Sequence, residues 1–171
     1  MSVAEVVGQI TGHEPSERQI IDVAKKTPST DHPGSVYIKP ADPRDPNSGY
    51  GTDPVDEIVL LPHYRVHATY TDLDNTAQGG PTGMPVLEQH LANKHAVIVG
   101  VNAETVWKKP GQTEHADHAV VVTGVDTGAG VVHLNDSGTP HGRDEKVDIT
   151  LFEQAWATSG DQMVVTDETV K

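Results

Sequence analysis

Val3, Val6, Val7 and Ile10 repeat at i, i+3, i+4 and i+7, which is one buried helical face, and Gly12 stops it. Glu14-Pro15-Ser16-Glu17 opens a second helix, with Pro15 suited to its first turn and Ile20, Ile21, Val23 and Ala24 as its apolar face. Lys25 and Lys26 complement its C-terminal dipole. The pattern then breaks. Residues 27–53 mix Pro28, Pro33, Pro40, Pro43 and Pro46 with glycines and aspartates, which predicts a long irregular loop. Thr52-Asp53-Pro54 restarts a helix, with Val55, Ile58, Val59 and Leu61 expected on its buried side. Val66 to Tyr70 alternates as a short strand, and the Gly79–Gly83 loop leads into a helix carrying Met84, Leu87 and Leu91.

The second half is richer in strands. His95 to Val101 is a nearly unbroken apolar run, expected at the centre of a sheet, and Asn102 to Trp107 reads as a short helical turn. Val120–Val125 and Val131–Leu134 form two strands joined by Thr127-Gly128-Ala129-Gly130, a hairpin link. Thr150-Leu151-Phe152-Glu153 has the form of a capping box for a last helix through Trp156, and Met163–Val165 closes the chain's pattern as a strand. Helices first and consecutive strands later predict one α+β domain over residues 1–171, with the N-terminal helices packed on an antiparallel sheet.

The hairpin also carries candidate chemistry. Its first strand begins at His118 and its second ends at Asp136, so an antiparallel pairing brings both to one end. An imidazole beside an orienting acid is half of a nucleophile–base–orienter arrangement. Trp107 lies in the segment before the histidine, where it can line a cleft or pack in the core, while Trp156 has core spacing.

Three segments resemble the C39-like branch of the papain-like cysteine peptidases. They are His118-Ala119-Val120-Val121-Val122-Thr123-Gly124, Asn135-Asp136-Ser137-Gly138, and the helix Ser2-Val3-Ala4-Glu5-Val6-Val7-Gly8. The resemblance implies a papain-like fold and a peptide or protein substrate cleaved by a Cys–His–Asp mechanism without a cofactor. It gives His118 the role of base and Asp136 that of its orienter. The chain departs from the family pattern at the nucleophile, because it contains no cysteine. In the family register that Cys falls a few residues before Met1, with the Gln of the oxyanion hole further upstream. Ser2 is a poor substitute: it sits about four residues further along the helix, roughly 6 Å along the axis. The expectation is therefore a peptidase-type domain that is inactive as it stands and cleaves peptides in a longer form. A pseudoenzyme that binds peptides or proteins is the alternative.

Composition narrows the partners. Twelve Lys and Arg against 25 Asp and Glu give a net charge of −13, which argues against nucleic acid and anionic membrane surfaces. The absence of cysteine rules out disulfides and zinc–thiolate sites. No apolar run approaches the roughly 20 residues of a membrane span. A start at Met1 carries no export signal and predicts a cytoplasmic protein, whereas an upstream start leaves secretion open.

The ten histidines raise a further alternative, a metal-binding protein or a non-peptidase hydrolase. His115, Asp117 and His118, with His133 and His141, are the candidate ligands. His63 and His67 have i, i+4 spacing, but Pro62 interrupts the helix they would share. Asp42, Asp45, Asn47, Asp53 and Asp56 suggest calcium without the regular spacing of an EF-hand, and turn carboxylates explain them better.

Overall fold

A computed structural model describes residues 2–39, 42, 44, 51–74 and 80–171. The apolar repeat of the first segment forms α1 (Ser2–Thr11), which buries Val3, Ala4, Val6, Val7 and Ile10. Gly12 ends it at φ 80°, a left-handed turn that suits glycine, and its N–H bonds back to the Gly8 carbonyl. The second helix, α2 (Glu17–Ala24), starts later than the sequence suggests. Ser16 is its N-cap in a reciprocal capping box with Gln19, so Pro15 lies before the cap and outside the first turn.

Within the stretch read as an irregular loop, Tyr37–Ile38 (β1) pairs antiparallel with Gly51–Thr52 (β2), and Pro28 bridges to Ser35. Asp53 Oδ1 then accepts the Val55 N–H and caps a 3₁₀ turn, Pro54–Asp56. The chain continues into α3 (Glu57–Leu60) and a second 3₁₀ turn, Leu61–Tyr64. Leu61 is buried as expected, and Ile58 and Val59 pack half-buried against the core. Asp56, Glu57 and Leu60 are also buried, while Val55 is half-buried. The tight 3₁₀ turns on either side of a single α-turn shift the phase that a continuous 3.6-residue period would give.

The main sheet has six antiparallel strands in the order β3-β8-β4-β5-β6-β7. These are β3 (Ala68–Thr71), β4 (His95–Val101), β5 (His118–Asp126), β6 (Val131–Asn135), β7 (Glu145–Asp148) and β8 (Met163–Thr169). β8 is longer than its apolar core, and it slots between β3 and β4 rather than adding at an edge. Three further helices lie among the described residues: α4 (Met84–Ala92), α5 (Ala103–Trp107) and α6 (Ile149–Ala157). The cap of α6 is Asp148, which accepts the Leu151 N–H, so Thr150 lies inside the helix and not at its start.

Two apolar layers sandwich the sheet. On one side Ala96, Ile98, Val121 and Val164 pack against α1, Ile20 and the Leu60–Leu61 corner. On the other, Val97, Val99, Val120, Val122 and Leu134 pack with Phe152, Trp156 and Leu87. Because both faces of β4 and β5 are covered, their sequences are apolar without alternation. Covering one face with α1 also sets the start of that helix against the start of β5: Ser2 Oγ donates to the Ala119 carbonyl at 3.0 Å.

Candidate active site

The β5–β6 register determines what meets at the end of the hairpin. Val121 pairs with Asn135, which leaves His118 and Asp136 just beyond the pairing at the same end. A bulge between Val122 and Gly124 shifts the register within the hairpin. His118 Nε2 lies 2.6 Å from Asp136 Oδ1. The Asp136 side chain is fully buried and that of His118 is 19% exposed, so the acid forms the floor and the imidazole the reachable surface.

Asp136 is held from several directions. The Gly138 N–H donates to Oδ1 at 2.6 Å and the Trp107 indole Nε1–H to Oδ2 at 2.8 Å. Its own backbone N–H donates to the Gly142 carbonyl at 2.7 Å. Burial pushes the carboxyl up, but the hydrogen bond and charge of His118, with the bonds from Gly138 and Trp107, together hold it below the ordinary value of 3.8. An ionised Asp136 only accepts, so the hydrogen shared with His118 belongs to Nε2. That tautomer leaves Nδ1 as the basic nitrogen of the ring.

The surroundings are tightly fitted. The Trp107 and His118 rings lie 5.2 Å apart at 55°, and Lys109 Nζ sits 4.8 Å from the Trp107 ring centre. A Cβ on Gly138 would fall 2.9 Å from His118 Cε1 and from Trp107 Cζ2, and 3.0 Å from Asp136 Oδ1, so only glycine fits without displacing them. One residue before the acid, Asn135 Nδ2 donates to Glu5 Oε1, which ties α1 to the end of β6. Asn135 Oδ1 also accepts the Asp144 N–H, which anchors the following loop.

His118 lines a cleft of about 790 Å³. Ser2 and Val3 of α1 line this cleft, together with residues of α2, Tyr37, Ile38, Gly51, Thr52 and Glu57. Ala103, Glu104, Trp107, Asp117, Ala119, Ser137 and Gly138 complete its lining among the described residues. Trp107 therefore faces the cleft and also bonds Asp136, a second contact that its sequence position did not indicate. Trp156 is in the core, with its indole N–H bonded to the Gln162 carbonyl.

The other candidate ligands do not converge. Asp117 caps α5 through the Ala103 N–H, His133 pairs with Asp144, and His67 with Glu168. His63 bonds Thr27 Oγ1. Asp42 pairs with Arg44, Asp53 caps its turn, and Asp56 is buried against Thr30 and His32. Asp45 and Asn47 lie outside the described residues. Among the described residues no group of three or more His, Cys, Asp or Glu could hold a metal ion. Nor is any described helix long and apolar enough to cross a membrane.

The Peptidase C39-like family matches residues 2–164 of this chain, which spans α1, the cleft and the hairpin. The chain belongs to the C39-like peptidase family. Proteins of Mycobacterium tuberculosis and Mycobacterium bovis are each 59% identical over 173 residues, covering 97% of this chain and 75% of theirs. YvpB of Bacillus subtilis is 33% identical over 135 residues, or 71% of this chain and 52% of YvpB. A Bacillus anthracis protein whose crystal structure is described as that of a C39-like peptidase shares the fold, with a TM-score of 0.64 at 20% identity. That alignment covers 99% of this chain and 88% of the other. The α+β architecture is thus that of a C39-like peptidase domain.

Glu57 is a cleft residue that the sequence did not single out, because the apolar pattern around it marks only Val55, Ile58, Val59 and Leu61. Gly138 was visible only as part of the Asp136 motif, and its steric role depends on how closely Trp107 approaches. Asn135 carried the signal of adjacency to Asp136 but nothing that named Glu5 as its partner.

Proposed function

We propose that the cleft binds a peptide across His118 and that His118 and Asp136 are the base and orienter of a Cys–His–Asp hydrolytic site. The observation that carries this reading is the 2.6 Å bond from Nε2 to a buried, ionised Asp136. It commits Nε2 to the acid and leaves Nδ1 to take a thiol proton and return it to the leaving amine. Trp107 orients the acid from the far side and presents its ring to the substrate.

Covalent catalysis needs a nucleophile, and the sequence contains no cysteine. Ser2 is engaged elsewhere, donating to the Ala119 carbonyl. These 171 residues are then inert toward peptide bonds, and cleavage belongs to a longer form with a cysteine just ahead of α1. The alignment with the mycobacterial relatives covers 75% of their length, so those proteins carry sequence outside it. The absence of cysteine equally favours a second reading, in which the cleft binds peptide without cleaving it.

One experiment separates the two. The natural reading frame upstream of Met1 is expressed with the chain, labelled with a thiol-reactive peptide probe, and assayed for peptide cleavage. The hydrolytic reading expects one labelled cysteine, and cleavage that His118→Ala abolishes. A stop codon immediately upstream, or a longer chain that binds peptide without turnover, contradicts it and supports the binding module.

A further inference from the structure

The cleft is acidic. Glu17, Glu57, Glu104 and Asp117 line it, and among the described residues no Lys or Arg does, though Lys25 and Lys109 stack over the cleft-lining rings of Tyr37 and Trp107. Three of these carboxylates have ordinary settings. Glu17 is exposed in the first turn of α2. Asp117 accepts from the Ala103 N–H and from Gln112, and Glu104 Oε2 from Asn102. Glu57 differs from them. It is 3% exposed, and its Oε2 is buried without a hydrogen-bond partner. A buried carboxyl oxygen in that state costs free energy that a packed apolar residue would not. Its position in the cleft gives the cost a purpose: the missing partner can arrive with the ligand.

We propose that Glu57 is a specificity-determining residue of the cleft, receiving the cationic side chain of a lysine or arginine in the bound peptide. The proposal rests on the reading of the cleft as a peptide site. A cation is the fitting complement because the carboxylates around the cleft attract it while no resident Lys or Arg competes for Glu57. Pairing in a desolvated pocket strengthens the contact relative to one at the surface. Burial pushes the Glu57 carboxyl up to about 8, and Asp53 nearby adds to it. Glu57 itself is therefore largely protonated at neutral pH while the cleft is empty, and an incoming ammonium or guanidinium displaces its proton to solvent. Glu17, Tyr37, Glu104, Asp117 and His118 are the other titratable groups that line the cleft among the described residues.

The test uses fluorescently labelled alanine-based peptides in which one lysine is moved along the sequence, each paired with a norleucine counterpart. Affinities for the chain are read by anisotropy near pH 8. The expected result is one register in which lysine binds about tenfold or more tighter than norleucine. Glu57→Gln should reduce that ratio to near one, whereas Glu153→Gln, at an exposed position of α6 that does not line the cleft, should preserve it. In the wild-type protein the ratio should also survive high salt, because a buried pair is screened far less than a surface one. A wild-type ratio near one overturns the proposal, as does a ratio that persists in Glu57→Gln or disappears with salt. If norleucine peptides bind and lysine is not preferred, only this proposal falls. If no peptide binds at all, the peptide-site reading falls with it.

Discussion

Two buried acids, Asp136 behind His118 and Glu57 lining the cleft, have nearly equal exposure, 4% and 3%, yet their chemistry differs. Asp136 accepts from His118, Gly138 and Trp107, and is held below the usual carboxylate range. Glu57 leaves Oε2 without a partner and is pushed up to about 8. Burial alone therefore does not decide whether a carboxyl is charged. The number of donors that the fold brings to it does. One acid is finished by the protein itself and can orient an imidazole. The other is left open, which is useful only where something else supplies the partner.

Removing the finished acid should have the largest effect. Asp136→Ala strands the Trp107 and Gly138 donors and leaves His118 Nε2 without an acceptor, so chemical denaturation should show a loss of about 3 kcal/mol. A loss under about 1 kcal/mol would mean that water replaces the carboxylate easily.

The second comparison is between pH slopes. Glu57 is raised in the folded state, so its contribution is fully present below the unfolded carboxyl value and is lost as pH rises through about 8. Asp136 is depressed, so its contribution is present above its unfolded value and is lost as pH falls through the lowered folded one. Glu57→Gln should remove the first slope, stabilising the protein on the order of 1–3 kcal/mol near pH 8 and much less near pH 5. Melting curves across that range would check it. An unchanged slope would show that Glu57 is partnered in solution.

Gly138→Ala should have the smallest effect of the three on stability, about 1–2 kcal/mol, because only side-chain atoms need to yield. Its effect on geometry should be larger, since the new methyl group pushes His118 and Asp136 apart. Loss of the hydrogen-bonded His118 imidazole proton signal, with the fold retained, is the expected outcome.

The sequence revealed different features to different degrees. The α1 face, the central β4 run and the β5–β6 hairpin were legible because each is a local period. The hairpin link and strand order then require His118 and Asp136 to meet. Helix starts were read less well. Ser16 and Asp148 are the true caps of α2 and α6, and each lies within two residues of an equally good local signal, Pro15 and Thr150. In the α3 region Leu61 was legible, but the inward turn of Asp56 and Glu57 was not, because two 3₁₀ turns shift the phase there. Contacts such as Trp107 with Asp136, or Glu5 with Asn135, depend on long-range packing, which a local period does not encode.

The central claim is that Asp136 commits His118 Nε2, so that Nδ1 is the base. Long-range ¹H–¹⁵N correlation spectra of the His118 ring test it directly, recorded at a pH where the imidazole is neutral. The predicted spectrum shows a protonated Nε2 and an unprotonated Nδ1, and Asp136→Ala shifts this toward a mixture of tautomers. A neutral ring carrying its hydrogen on Nδ1 in the wild-type protein would contradict the account.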